Sequence, residues 1–388
     1  MSVFRDTPSP KHSTAGRHVK ILFQIQPRWA RTVVLAVSLA ALSAAHASDV
    51  GADEDGGDAK SSWSDRNWFV VPVPISDPTI GSGLVLGGAY FYPQTTEQKA
   101  SQPASVTGAG GFYTDSDSKA FAVGHQAYFK DDIWRLSVVA GAVDLNMKLR
   151  SLGAIRERDI NWGVKGGGFY IEASRAIFGK WRLGAFARYL DFDEDFSVAP
   201  QADDFVLENS TVGAGIGVEA EFDSRDTPYN PRHGSRLKVS VLASNESFGG
   251  DDNYESYSLN YTSYHDVHPS VVVAWQLRGC HRSDDTPLWD ACVINLRGFP
   301  VIDYLGKTSV LGQAEARWQF YKRWGAVAFA GAGAYENSFN EFRENEVIQS
   351  YGVGLRFMVM PSQRINVRLD YGRSKDDDAI YLGVMESF

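Results

Sequence analysis

The sequence predicts an all-β fold, a transmembrane antiparallel β-barrel of about 16 strands. Three observations predict it. From Trp68 onward, segment after segment alternates apolar and polar residues with a period of two, which gives strands two unlike faces. No stretch of helical periodicity is present to cover the apolar face, which continues from strand to strand. Aromatic residues gather near predicted strand ends, at Tyr90, Phe91, Tyr92, Trp134, Trp181, Trp318, Phe320, Tyr321 and Trp324, as interfacial girdles require. A soluble β-sandwich also alternates, but it must cover its apolar faces. In lipid an open sheet edge is untenable, so the sheet closes.

The N-terminal residues explain how such a barrel reaches a membrane. Arg5, Lys11, Arg17, Lys20, Arg28 and Arg31 face one acid, Asp6, and are followed by an apolar run, Thr32–Ala45, and by Ala45-His46-Ala47. A basic segment, a short apolar core and an Ala-x-Ala end mark a secretory signal peptide, here residues 1–47. The apolar run is about 14 residues long, short of the roughly 20 that a helical span needs. Cleavage after Ala47 takes the formal charge from −9 to −14 and argues against nucleic acid as a partner. Residues 48–67 are acidic, Gly- and Ser-rich and nearly free of apolar side chains, so they read as a disordered periplasmic segment. An exported β-barrel with lipids as its immediate surroundings places the chain in a bacterial outer membrane.

The barrel is expected over residues 68–388. Its strands are predicted at 68–75, 81–92, 104–115, 118–129, 132–144, 162–174, 180–191, 209–222, 234–247, 254–266, 270–279, 307–320, 323–335, 348–360, 363–373 and 379–388. If 68–75 is only a lead-in, a strand near 145–152 takes its place. The clearest alternation sets Ile365, Val367, Leu369 and Tyr371 against Arg364, Asn366, Arg368 and Asp370. Short links at 266–269, 321–322 and 360–362 read as periplasmic turns. Longer ones at 144–161, 192–208, 280–306 and 336–347 read as extracellular loops.

Cys280 and Cys292 bracket the start of the longest loop. In an exported chain an isolated pair reads as a disulfide, the alternative being two free thiols. At the turn near 223–234, Asp223, Arg225 and Asp226 supply charges that can tie the chain together. Pro231 presets φ and Gly234 accepts a positive φ. No catalytic site is expected, because no metal-ligand spacing, phosphate-cradling loop or nucleophile motif appears. His265, Asp266 and His268 cluster at a predicted periplasmic turn and read as turn residues.

Several motifs stand in order: DSRDTPYNPRHG at 223–234, Leu-Arg-Gly-Phe-Pro at 296–300, GQAEARW around Glu315, FAGAG at 329–333, GVGLRF at 352–357 and LDYG at 369–372. This set resembles the bacterial surface antigen family, the barrels of outer-membrane assembly factors of the BamA/TamA type and of two-partner secretion transporters. The resemblance covers most of the chain from about Trp68 and is strongest from Glu221 to Phe388. It implies that the loop carrying Arg297, Gly298 and Phe299 folds back into the lumen, with Arg297 against Glu315 on the wall. Alternation puts Leu311, Gln313, Glu315, Arg317 and Gln319 on one polar, lumenal face. The family's second acid falls on Gly331, so Asp370, inward on a nearby strand, is expected to substitute. The resemblance makes the 223–234 segment a periplasmic turn. It makes Tyr381, Gly383 and Phe388 a C-terminal assembly signal, with Glu386 where a hydrophobic residue is usual.

The implied function is insertion or translocation of polypeptides, with no cofactor and no enzymatic step. About 20 residues lie between the expected cleavage site and the barrel, too few for a folded domain. Capture of polypeptide clients is therefore expected from a separate periplasmic partner. The alternative is a barrel-only channel or structural surface antigen without assembly activity.

Overall fold

The computed structural model describes residues 67–388, except 153–154, 199–205, 229, 337–346, 362–363 and 376. The expected signal peptide, and the acidic segment up to residue 66, lie outside the described residues. The strands are β1 (Trp68–Asp77), β2 (Gly81–Phe91), β3 (Val106–Thr114), β4 (Lys119–Phe129), β5 (Trp134–Leu152), β6 (Ile155–Phe178), β7 (Trp181–Val198), β8 (Val206–Asp223), β9 (Gly234–Ser244), β10 (Tyr254–His268), β11 (Val271–Arg282), β12 (Cys292–Val293), β13 (Leu305–Gly306), β14 (Thr308–Tyr321), β15 (Trp324–Glu336), β16 (Ile348–Met360), β17 (Ile365–Ser374) and β18 (Asp378–Val384). Sixteen of them close an antiparallel barrel in chain order, while β12 and β13 form a separate two-stranded ladder in the loop between β11 and β14. A six-residue helix, α1 (Thr96–Ser101), sits between β2 and β3, started by a Thr95–Gln98 capping box.

The two faces of the strands explain the closure. Val353 is 59% exposed and Leu355 48%, whereas their neighbour Arg356 is 3% exposed. An apolar exterior around a polar interior suits lipid outside and a charged lumen inside. Trp134, Trp318, Phe320, Tyr321 and Trp324 are all exposed on the outer rim where the short turns lie.

Three strands, β5, β6 and β7, run well past the lengths expected from sequence, and the reason is an inversion of faces. Along β5 the outward residues are Trp134, Leu136, Val138, Ala140 and Ala142, then Asp144, Asn146 and Lys148. The inward residues change in the opposite sense, ending in buried Val143, Leu145 and Met147. β7 does the same, from outward Leu183 and Tyr189 to Asp191, Asp193 and Asp195, with Leu190 and Phe192 buried inside. Outward apolar residues stop where lipid stops, about nine residues up β7, as a tilted strand crossing the hydrocarbon requires. Above that level the exterior is polar and the interior is an apolar cluster of Val143, Leu145, Met147, Trp162, Val164, Leu190, Phe192, Trp289 and Ile302. The described residues of these segments, 144–152, 155–161, 192–198 and 206–208, are thus strands rather than loops, and 145–152 belongs to β5. The predicted loop at 336–347 falls mostly outside the described residues.

The turn after β8 is tied by its charges. Arg225 donates from Nε and Nη2 to the two carboxylate oxygens of Asp223, at 3.0 and 2.7 Å. Asp226 accepts from the backbone N–H of Arg232 at 2.9 Å and from Arg364 at 2.8 Å. Gly234 has φ 98° and a Cβ there would lie 2.3 Å from the Ser224 carbonyl, so only glycine fits. Pro231 is buried within the turn. Burial pushes the Asp226 carboxyl up, but Arg364 and the Arg232 N–H outweigh it and hold it below the usual range. A carboxyl depressed in this way stabilises the turn above its unfolded pKa, near ~3.9, and stops doing so as pH falls through the folded value. Asp226→Ala should therefore speed hydrogen exchange at the Arg232 amide roughly tenfold at neutral pH. Acidification should produce the same loss of protection in the parent protein.

Candidate functional site: a loop inside the lumen

Residues 283–307 leave β11, cross the lumen and return to β14. Their side chains explain why the loop goes inward. Leu288, Trp289, Ile294, Leu296, Phe299 and Ile302 are all buried, and no outer surface would hide so many apolar groups. Trp289 packs edge-on against Phe192 of β7 at 5.4 Å, and Gly213 of β8 makes room, since a Cβ there would lie 2.2 Å from the indole. Ile294, Leu296 and Phe299 pack with Leu311 of β14 and Ile348 of β16. The Val301 N–H reaches Thr79 Oγ1 in the turn between β1 and β2 at 3.3 Å. The loop therefore braces opposite walls.

Its base is covalently closed. Cys280 on β11 and Cys292 on β12 form a disulfide across 12 positions of sequence. Closing a loop of this size is worth ~3 kcal/mol in the chain-entropy model. Reduction should accelerate proteolysis within 283–307 while leaving the heat-modifiable migration of the folded barrel unchanged.

The loop's apex is held by charge. Arg297 donates from Nη2 to Glu315 Oε2 at 2.8 Å and from Nη1 to Asp370 Oδ2 at 2.9 Å. Its guanidinium lies 3.5 Å from the centre of the Phe329 ring. One planar fork thus spans carboxylates on two walls, which a lysine could not do. Ser350 donates to the Arg297 carbonyl. Gly298, at φ 127°, passes against Gly372 and Arg373 of β17; a Cβ on Gly372 would lie 2.8 Å from the Gly298 nitrogen. The Gly298 N–H donates to Tyr381 Oη at 2.9 Å, and that hydroxyl donates to the Phe299 carbonyl at 3.1 Å.

Gly331 is occupied by packing rather than by charge. A Cβ there would lie 2.7 Å from Leu296 Cδ2 and 2.8 Å from Gln313 Cβ. No side chain fits while Leu296 is seated, and the second carboxylate within reach of Arg297 comes from Asp370.

Further groups join this node that sequence reasoning did not assign. Glu315 also accepts from Arg317 at 2.6 Å. Asp370 also accepts from Arg356 at 2.5 Å and Arg368 at 3.0 Å. Arg356 reaches Glu386 at 2.8 Å. A separate cluster sits near Trp289: Asp290 pairs with Arg188 of β7 and lies 3.5 Å from Arg282. Inward parity alone marks Arg188, Arg317, Arg356 and Arg368 as lumenal, but it does not pair them.

The expected C-terminal strand is shorter than 379–388. β18 ends at Val384, and residues 385–388 turn into the lumen. Tyr381 faces inward onto the loop, and Phe388 packs on Tyr264, Val272 and Ala274. Gly383 stays on β18, opposite Arg368 of β17. Glu386 is where a hydrophobic residue was expected because Arg356 and Asn366 hold its carboxylate inside.

The model of the Omp85 superfamily domain matches residues 128–383, more than half of the chain. No curated protein sequence matches. Among solved structures, CdiB from Escherichia coli is similar at TM-score 0.59 and 12% identity, covering 84% of this chain and 63% of that one. CdiB from Acinetobacter baumannii gives 0.55 and 12%, covering 82% and 59%. BamA from Haemophilus ducreyi lacking POTRA domains 1–3 gives 0.54 and 12%, covering 82% and 69%. At such identity the likeness is one of fold, and the chain spans less than two thirds of either CdiB.

Proposed function

The chain belongs to the Omp85 superfamily, and from that premise we propose that it inserts or translocates polypeptides at the outer membrane, with the β11–β14 loop as the closure of its lumen. It is a bacterial outer-membrane barrel of the assembly and translocation type. The observation that carries the finer reading is Arg297, buried at the apex of the loop between Glu315 and Asp370. The apex of the loop can be released by breaking this one set of charge-assisted bonds, while the Cys280–Cys292 disulfide and the Arg188–Asp290 pair still hold the rest of the loop.

In this reading residues 1–47 direct export, 48–67 form an acidic periplasmic segment, and a separate periplasmic protein delivers the polypeptide. Comparing the outer-membrane proteome of cells with and without this chain tests the proposal. One or a few outer-membrane or exported proteins should fall in abundance and return when the gene is restored. An unchanged proteome, together with large stable single-channel currents, would instead indicate a channel without assembly activity.

A further inference from the structure

Above the lipid level, β5–β8 form an extracellular crown with an apolar interior, and that interior holds an acid. The inward face of β7 runs Leu190, Phe192, Glu194 and Phe196. Glu194 is 2% exposed and lies opposite Val164 of β6 and Asn209 of β8. Beyond it the Phe196 ring stacks on Trp162 of β6 at 5.7 Å. Before it Phe192 meets Trp289 of the lumenal loop at 5.4 Å. The carboxyl is therefore set between two aromatic pairs, one of which seats the loop.

This carboxyl is unsatisfied. Among the described residues neither of its oxygens has a hydrogen-bond partner, and Trp162 Nε1 has none. The Asn209 amide donates to Thr211 Oγ1 at 2.9 Å instead. The charges of the neighbouring strands face away. Lys165 stands opposite Asp193, and Glu208 opposite Asp195, on the outer face. Lower in the lumen, Asp290 of the loop is held by Arg188. No charged group among the described residues acts on Glu194. Burial pushes its carboxyl up to about 8, and Asn209 and Trp162 offset only part of that. A protonated carboxyl can stay in such a place, whereas an ionised one demands water or a cation.

We propose that Glu194 is a proton-operated lock on the extracellular crown. With its proton it stays in the apolar interior of β6–β8. Without it, water enters between these strands and the seat of Trp289 loosens. The lock acts on the arm of the loop that carries Trp289, while Arg297 holds the apex. In water a glutamate titrates near ~4.3. Between that value and about 8 the closed crown holds one proton more than an opened one. Closure is therefore strongest in acid and weakens as pH rises through this window, by up to about tenfold per pH unit. This goes beyond the polypeptide-transport reading and does not depend on it, because its test uses the purified barrel alone.

Hydrogen exchange of the folded barrel, read by peptide mass spectrometry, tests the lock in the parent and in Glu194→Gln, whose amide does not titrate. The ratio of parent to variant rates at each pH removes the intrinsic pH dependence of exchange. Between about pH 6 and about pH 8 this ratio should rise roughly tenfold or more in peptides from β7 and around Trp289. It should stay level in β15 and β16. If Glu194→Gln does not reach folded, heat-modifiable migration, Glu194→Leu takes its place in the same ratio. A level ratio in β7 would overturn the lock. A rise in β7 with a level ratio around Trp289 would overturn its link to the loop.

Discussion

Arg297→Met is expected to free the apex of the lumenal loop and leave the barrel standing. The node holds four arginines, Arg297, Arg317, Arg356 and Arg368, against three carboxylates, Glu315, Asp370 and Glu386. Without Arg297, Glu315 keeps Arg317 and Asp370 keeps Arg356 and Arg368. No buried acid is stranded, so the wall has little reason to unfold. The loop loses both charge-assisted bonds and the stacking on Phe329. A hydrogen bond to a charged group contributes about 1.5–3 kcal/mol net, so losing two costs about 3–6 kcal/mol. At ~1.4 kcal/mol per decade, that shifts the docked-to-released ratio of the loop apex by roughly two to four orders of magnitude. Protease cleavage within 283–307 should rise by a comparable factor while the Cys280–Cys292 bond still tethers the loop base. Arg297→Lys should fall between, since an ammonium cannot span both carboxylates as a planar fork does. If Arg297→Met instead abolished heat-modifiable folding, the node would be structural to the barrel and not a loop clasp.

Gly331→Asp is the second large effect, and its sign is opposite to what charge alone suggests. Placing an acid there would seem to give Arg297 another partner. The space is already taken by Leu296, 2.7 Å from where the Cβ would sit. Overpacking of this kind costs about 1–3 kcal/mol, and a carboxylate forced against Leu296 adds its own desolvation. The variant should loosen the loop. Leu296→Ala alone should also loosen it, by about 2–5 kcal/mol for a buried leucine. Combined, the two should be less harmful than their sum, because the smaller residue opens room for the acid beside Arg297. Additive effects in a double-mutant cycle on loop release would mean that Leu296 does not exclude a side chain at 331.

Much of this site is legible in the sequence because lumenal parity is simple. Glu315 and Asp370 are inward by alternation, and Arg297 stands in a loop whose motif resembles that of known barrels. The geometry places all three in contact. The long hairpins of β5–β8 are not legible in the same way. Alternation is read by finding which face is apolar, and in these strands the apolar face changes sides where lipid gives way to water. Leu145 and Met147 point in while Trp134 and Leu136 point out. A strand that inverts in this way looks like a loop with scattered hydrophobics. The partner of the inner surface, Trp289, lies about a hundred residues on in sequence, and no local pattern announces it.

The early end of β18 is hidden for a related reason. Apart from Glu386, residues 379–388 read as one strand to the last position, and the strand that β18 meets, β1, belongs to the opposite end of the chain. Glu386 carries the one local signal, an acid where lipid would demand an apolar residue. Its partners Arg356 and Asn366 come from two other strands. Pairing across a closed sheet, rather than propensity within a strand, decides such positions.

Whether the Arg297 loop closes the lumen is read by single-channel recording of purified barrels in planar bilayers. The parent protein should show small, infrequent currents, and Arg297→Met should show large and frequent openings at the same protein density and voltage. Equal conductance and open probability in the two proteins would contradict the claim.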